Sequence, residues 1–298
     1  MQSDSQIQSD LLRSDTSGER EQLLHIRGAD LDLSERTYIA GILNVTPDSF
    51  SDGGKFVERD TALKHAERMV EEGADLIDVG GESTRPYAAP VGATEEKARV
   101  IPVISMLSKR SDVIISVDTS KASVARAALD AGAHMINDVS ALRFDPDLAN
   151  VAAEYEAGLV LMHMKGTPRT MQENPEYDDL FAEITSFLNE AVDKACKSGV
   201  CFESIMLDPG IGFGKKLEHN LAILKNLTEL KALKRPIMVG PSRKSFIGNL
   251  LNLPVEERTS GTLAAVAVSI FSGASVVRVH DVKQAKEAAV IVDAIMRS

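Results

Sequence analysis

Residues 76–138 read LIDVGGESTRPYAAPVGATEEKARVIPVISMLSKRSDVIISVDTSKASVARAALDAGAHMIND, and the order of the pieces decides the fold. Short β-branched runs, Leu76–Val79, Val113–Val117 and Ala133–Asn137, alternate with the longer amphipathic stretches Thr94–Leu107 and Lys121–Asp130. The alternation extends outward from this stretch, back to Thr37 and on to the C-terminus, without a linker. It adds strands at Tyr38–Leu43, Leu159–His163, Ile205–Leu207, Ile237–Val239 and Ser275–Val279. It adds helices at Asp60–Glu72, Asp147–Glu156, Asp178–Ser198, Leu217–Leu230, Glu256–Phe271 and Asp281–Met296. In the Asp178–Ser198 stretch, Ile184, Phe187, Leu188, Ala191 and Ala195 fall on one face. Gly73, Gly132 and Gly273 punctuate helix ends. Eight βα units of this regularity predict an α/β chain closed into a (β/α)8 barrel, with an open doubly wound sheet as the alternative.

Composition narrows the function classes. The chain has 298 residues, 44% of them hydrophobic, enough for a large core. A net charge of -11 without basic runs argues against binding nucleic acid or an anionic membrane, so an anionic substrate needs a local cluster of cations or a metal. Cys196 and Cys201 lack zinc spacing and are too few for a disulfide framework; we read them as reduced, incidental thiols. Residues 1–22, rich in Ser, Asp and Gln at their start, carry no apolar core and no basic leader and are expected to be a disordered tail ahead of a barrel domain over 23–298. The longest apolar run, Leu263–Phe271, is about half a membrane span, and a cytoplasmic location is expected.

A barrel places its chemistry at the C-terminal ends of its strands. Those ends are polar here: Asn44, Asp78, Asp118, Asn137, His163 and Asp208, with Lys244 after the seventh strand and Arg278 and His280 closing the eighth. Any one of them could be a helix N-cap or a turn residue bonded to its own backbone. The repetition is what argues for a site. Side chains two apart on a strand share a face, so Arg278 points with His280, Met135 with Asn137 and Met206 with Asp208.

The segment Asp208-Pro209-Gly210-Ile211-Gly212-Phe213-Gly214-Lys215 invites a nucleotide-binding reading and fails it. Pro209 stands where a Walker A loop needs its first Gly, and Lys216 where it needs Ser or Thr. The G-x-G-x-G spacing is not the dinucleotide fingerprint either. What remains is a loop that lifts Phe213 and Lys215 over the barrel mouth.

Seven segments, taken in order, carry a resemblance: Asn44-Val45-Thr46-Pro47-Asp48-Ser49-Phe50-Ser51-Asp52-Gly53-Gly54, Asp78-Val79-Gly80-Gly81-Glu82-Ser83-Thr84-Arg85-Pro86, Asp118-Thr119-Ser120, Asn137-Asp138-Val139-Ser140, the Asp208–Lys215 loop, Ser242-Arg243-Lys244-Ser245 and Arg278-Val279-His280-Asp281. Together they resemble the signature of the dihydropteroate synthases, pterin-binding TIM-barrel transferases, from about Thr37 to the C-terminus. Such enzymes join a 6-hydroxymethyl-7,8-dihydropterin diphosphate to p-aminobenzoate and release diphosphate, a step of folate biosynthesis.

The resemblance implies a division of labour. Asp118, Asn137, Asp208 and Lys244 would hydrogen-bond the pterin edge, with Arg278 against its face. Asn44, Thr84, Arg278 and His280 would hold the diphosphate, and Mg2+ would sit at Asn44, with Asp48 and Asp78 joining at the metal or behind it. Thr84, Arg85, Pro86, Phe213, Lys215 and Ser242 would surround p-aminobenzoate. Asn44, Asp48, Arg85, Lys244, Arg278 and His280 form the catalytic set so implied, and a homodimer and sulfonamide binding are implied with it. The chemistry is consistent: an arylamine is unprotonated near neutrality, so the demand is leaving-group stabilisation and not a strong base, and no Ser-His-Asp or Cys-His constellation stands out. Two other readings stay open on sequence: a pterin-binding barrel without turnover, and a folate-dependent methyltransferase domain.

Overall fold

The computed structural model describes residues 22–45, 55–83 and 88–298, side chains at 55–59 excepted. Residues 1–21 of the expected tail and the site residues Asp48, Thr84, Arg85 and Pro86 lie outside the described residues; Gln22, the last of that tail, is held by the Leu33 amide and by Ser275 Oγ. The chain enters with a hairpin, β1 (Leu23–Ile26) and β2 (Ala29–Asp32). It then runs β3 (Tyr38–Asn44), α1 (Lys55–Glu71), β4 (Leu76–Gly80), α2 (Ala93–Leu107), β5 (Ile114–Asp118), α3 (Ala122–Asp130), β6 (Met135–Asp138) and α4 (Asp147–Glu154). The second half is β7 (Gly158–Met162), α5 (Leu180–Lys197), β8 (Ile205–Asp208), α6 (Leu217–Lys225), β9 (Met238–Val239), α7 (Ser245–Leu251), α8 (Thr259–Phe271), β10 (Val276–Val279) and α9 (Val282–Arg297).

Strands β3 to β10 form one parallel sheet, in the order β8-β7-β6-β5-β4-β3-β10-β9. The sheet closes on itself where Leu207 of β8 bridges Ile237 and its amide donates to the Pro236 carbonyl at 2.9 Å. That seam decides for a barrel over an open sheet. Helix ends repeat one device. Gly132 takes φ 108° after α3, and the next amide, Ala133, donates back to Ala128 at 2.9 Å, a bond pattern that only a left-handed residue allows without strain. Ala133 is thereby helix cap, so β6 starts later than the sequence pattern suggests.

Helix α1 begins at Lys55 and not at Asp60, and the second half departs further from the sequence reading. The Leu217–Leu230 stretch is α only to Lys225, because the Asn226 side-chain Nδ2 turns back onto the Ala222 carbonyl at 3.2 Å and the chain tightens into a 3-10 turn over Leu227–Leu233. Helix α8 starts at Thr259, since Pro254 initiates a separate 3-10 turn, Val255–Glu257. Helix α7 was not expected; at seven residues it is too short to show a period, and it is tied down by Arg258, which donates to Leu253 O and Arg243 O at 3.1 Å each.

Period-two alternation points Ala40, Leu76, Met135, Val160, Met206, Met238 and Val276 to the barrel axis, where they pack on Leu24, Ile26, Leu31 and Leu33 from the hairpin segment. The hairpin is a plug. It was also missed from sequence, although Leu24, Ile26, Leu31 and Leu33 alternate around a two-residue loop, Arg27-Gly28. Leu24 is wholly buried, so Leu24→Ala should cost about 2–5 kcal/mol in urea unfolding, whereas removing residues 1–20 should leave activity intact. A Leu24→Ala protein as stable as its parent would mean the plug does not seal the barrel.

Candidate active site

The same alternation that lines the barrel floor with methionine and valine turns polar at its mouth. Asp78, Asp118, Asn137, Asp208 and Arg278 occupy inward positions at strand ends, and the ladder sets Asp118 beside Asn137. Arg278 is the hub: its Nε donates to Asp78 Oδ2 at 2.6 Å and its Nη2 to Asp118 Oδ2 at 2.8 Å. Asn137 Nδ2 donates to the same Asp78 oxygen at 2.9 Å. Nη1 of Arg278 is left without a partner among the described residues. Asp78 Oδ1 is likewise buried and unpartnered among them.

Burial governs the protonation of this cluster. It pushes Asp118 up to about 7, against the pull of Arg278, with Asp78 adding to the rise. It raises Asp208 as well, against the Gly210 amide, which donates to Asp208 Oδ1 at 2.6 Å, and against Lys244 and Arg278. Lys244 is driven down to about 8 by burial and by Arg278. Burial also works against the Arg278 charge, yet Asp78 and Asp118 hold its pKa above the ordinary value. The guanidinium is therefore permanently charged, while Asp118 and Lys244 titrate near neutrality.

Lys244 is aimed by its predecessor. Arg243 sits at φ 56°, a left-handed conformation that costs a non-glycine residue about 1–2 kcal/mol. It is held there by Asp281 (2.6 and 3.2 Å), by Thr262 Oγ1 accepting its amide at 3.0 Å and by Arg258 on its carbonyl. Lys244 Nζ then lies 4.1 Å from the centroid of the Phe213 ring. Beside it, Ser242 Oγ hydrogen-bonds His280 Nδ1 at 2.9 Å and accepts the His280 amide at 3.2 Å. Burial and the nearby Arg243 and Arg278 push His280 down to about 3, so the imidazole is neutral.

The glycine loop after β8 folds over the end of β7. Gly210 takes φ 70° and its Cα faces the His163 carbonyl; a Cβ there would stand 2.0 Å from that oxygen. Lys215 is 3% exposed, and its Nζ reaches His163 Nδ1 at 2.9 Å, Phe213 O at 3.0 Å and His163 O at 3.5 Å. Gln172 donates to Gly212 O and Tyr177 to Gly214 O, each at 2.7 Å. Sequence reading missed Gln172 and Tyr177, which belong to no motif and lie 40 and 37 residues from their partners.

Beneath the second loop, Lys121 links Glu82 to the buried Glu96, and Glu82 Oε1 accepts the Val91 amide at 3.0 Å. The structure thus joins Asp78, Asp118, Asn137, Asp208, Lys244 and Arg278 in one cluster, with Phe213 on Lys244, Ser242 on His280 and Lys215 behind the loop. Asn44 closes β3 at the same mouth.

Comparison with known proteins agrees with this geometry. The family described as "Pterin binding enzyme" matches residues 40–280. Dihydropteroate synthase of Escherichia coli (strain K12) is 49% identical over 273 residues, covering 92% of this chain and 96% of the relative. That of Synechocystis sp. is 49% identical over 267 residues, 89% of this chain and 92% of the relative. Among solved structures, Yersinia pestis dihydropteroate synthase with a sulfonamide drug complex superposes with a TM-score of 0.88 at 48% identity, covering 93% of this chain and all of the other. Xanthomonas albilineans dihydropteroate synthase with 4-aminobenzoic acid superposes with a TM-score of 0.87 at 43% identity, covering 93% and 99%.

Proposed function

The chain belongs to the dihydropteroate synthase family of pterin-binding enzymes, and from that premise we propose how its residues carry the transfer. The enzyme condenses 6-hydroxymethyl-7,8-dihydropterin diphosphate with p-aminobenzoate to 7,8-dihydropteroate and diphosphate. The observation that carries our reading is Arg278, a fixed cation braced by two buried carboxylates at the centre of the barrel mouth.

The pterin edge presents an amide-like N–H and an exocyclic amine, a donor pair for a carboxylate. Asp208 serves it through Oδ2, since Oδ1 is engaged by Gly210. Asn137 and Asp118 take further edge donors, and Lys244 supplies donors to the ring carbonyl and nitrogen. Arg278 lies flat against the ring, and its charge, with the neutral imidazole of His280, faces the departing diphosphate. Asn44 and Thr84 complete that subsite. The p-aminobenzoate ring sits against Phe213, walled by the Phe213–Lys215 loop, Ser242, and Thr84, Arg85 and Pro86. Its amine needs no base; catalysis comes from neutralising charge on the leaving group. Methyl transfer from a folate, or pterin binding without turnover, would leave the cationic diphosphate side of the site without a use.

The residues fit a magnesium ion. Asn44 offers an amide oxygen and Asp78 an unpartnered carboxylate oxygen, with Asp48 as a further candidate, and Mg2+ takes a few protein oxygens plus waters and substrate phosphates. Among the described residues no group of three or more His, Cys, Asp or Glu could hold a metal ion by itself. Bound there, it would neutralise diphosphate charge.

We read the chain as a cytoplasmic homodimer that accepts sulfonamides in the p-aminobenzoate subsite. No described helix is long and apolar enough to cross a membrane, and Cys196 and Cys201 are exposed free thiols. Exposed Val268 and Phe271 on α8, and Val290, Ile291 and Ile295 on α9, which packs against it, support an apolar face for a second copy.

The test is diphosphate release from the two substrates with Mg2+; methyl transfer without diphosphate would overturn the reading. The pH profile carries its own prediction. kcat/KM should rise through about pH 7 as Asp118 ionises and fall above about pH 8 as Lys244 loses its proton. Asp118→Asn should erase the acid limb, and an unchanged limb would exclude Asp118 as its source.

A further inference from the structure

We infer that Lys215 is a positioning residue: it touches no substrate, but bolts the glycine loop to the end of β7 and so fixes the Phe213 ring over Lys244. The inference rests on the reading of Phe213 as a wall of the p-aminobenzoate site.

A lysine Nζ, charged or neutral, makes three hydrogen bonds, and that of Lys215 has three partners: His163 Nδ1, His163 O and Phe213 O. Nothing is left over for a substrate carboxylate, and the side chain is 3% exposed. His163 is itself buried, with its ring edge-on to Phe187 at 4.9 Å, so the anchor point cannot swing. All three partners are uncharged, and Lys215 makes no ion pair among the described residues; burial drives it down to about 7, against the pull of Asp208. A buried lysine paired only with neutral groups is a poor way to gain stability, because desolvating the ammonium costs more than such bonds return. Its use must lie in geometry.

The loop needs that geometry. Gly210, Gly212 and Gly214 all sit at positive φ (70°, 81° and 63°), and a run of glycines has the most conformational freedom to lose. Gln172 and Tyr177 secure the carbonyls on either side of Phe213, and Lys215 secures the carbonyl of Phe213 itself. The ring is thereby pressed among Val139, Met162, Met164 and Met171 on one side and Lys244 on the other. Methionines are compliant neighbours and do not fix a ring by themselves. Without the lysine, the Phe213 carbonyl would lose its tether, and the ring would shift from Lys244.

A double-mutant cycle tests this, with Lys215→Met, Phe213→Leu and the pair in the full chain. Lys215→Met should unfold at the same temperature as the parent or higher, yet raise KM for p-aminobenzoate about tenfold, with KM for the pterin diphosphate changed less than about threefold. In the Phe213→Leu background the same replacement should cost less than about twofold, since the ring it positions is gone. Lys215→Gln, which keeps an N–H for Phe213 O, should recover part of the loss and serves if the methionine variant does not fold. Equal losses in both backgrounds would mean that Lys215 acts on substrate directly. A lower melting temperature with unchanged KM would mean a role in stability alone. Either result overturns the inference. An unmodified protein that forms no dihydropteroate would instead refute the functional reading; the bolt then stands or falls on whether Lys215→Met speeds amide exchange over residues 210–214.

Discussion

Arg278→Met is expected to abolish diphosphate release and to destabilise the fold by about 3–5 kcal/mol at pH 8, the usual cost of removing one partner from a buried ion pair. Asp78 and Asp118 each spend their Oδ2 on this guanidinium, and both are buried. Without it they become uncompensated charges a short distance apart. The loss must shrink as pH falls, because the orphaned carboxylates can then take up protons. Asp118 is pushed up to about 7 even with Arg278 present, and removing the cation raises it further. A folded-state pKa above the unfolded value means the folded protein holds the extra proton, so the variant's stability should fall as pH rises from about 4 towards 8. Urea unfolding of parent and variant at pH 5.5 and 8, both round values about one to two units either side of the pKa named here, measures this. Asp78→Asn added to Arg278→Met should return part of the lost stability but none of the activity. Equal destabilisation at both pH values would show that the three groups are not coupled as their geometry demands.

Asp208→Asn should separate binding from folding. The replacement keeps an oxygen for the Gly210 amide, so the loop turn survives. It removes a buried carboxylate whose pKa burial has raised, and such a group contributes nothing to stability above its folded pKa that an amide would not. Thermal stability at pH 7.5, a pH about three to four units above an ordinary Asp pKa, should therefore be unchanged or slightly higher. Affinity for the pterin diphosphate should fall by about 2–4 kcal/mol, since an amide N–H would face the ring's own donors in a buried setting. Calorimetric titration checks it; full affinity would remove Asp208 from the pterin site.

Local pattern was enough for the frame of this protein. Strand runs such as Val113–Val117 and amphipathic stretches such as Asp178–Ser198 declare themselves by period, because side-chain direction along a strand or helix depends only on neighbouring residues. The same period shows that Arg278 shares a face with His280, and that polar residues crown methionine and valine. The seven ordered segments were sufficient to name the family.

What the sequence could not decide depends on groups far apart in the chain. Arg278 meets carboxylates 200 and 160 residues away, and the bridge of Leu207 to Ile237 settles closure of the barrel. Their proximity exists only once the strands have curled into a ring. The hairpin plug carried a readable alternation, but a pair of four-residue strands has meaning only against a barrel floor that needs covering. Short helix α7 and the left-handed Arg243 are imposed by Arg258, Thr262 and Asp281, not by their own propensities. Lys215 makes the point most sharply: the resemblance put it at the p-aminobenzoate end, and only the fold shows its Nζ among three neutral partners. Residue type gives a side chain its charge and reach. Desolvation and partnership, which determine what that charge can do, are properties of the packed interior and appear only with the tertiary structure.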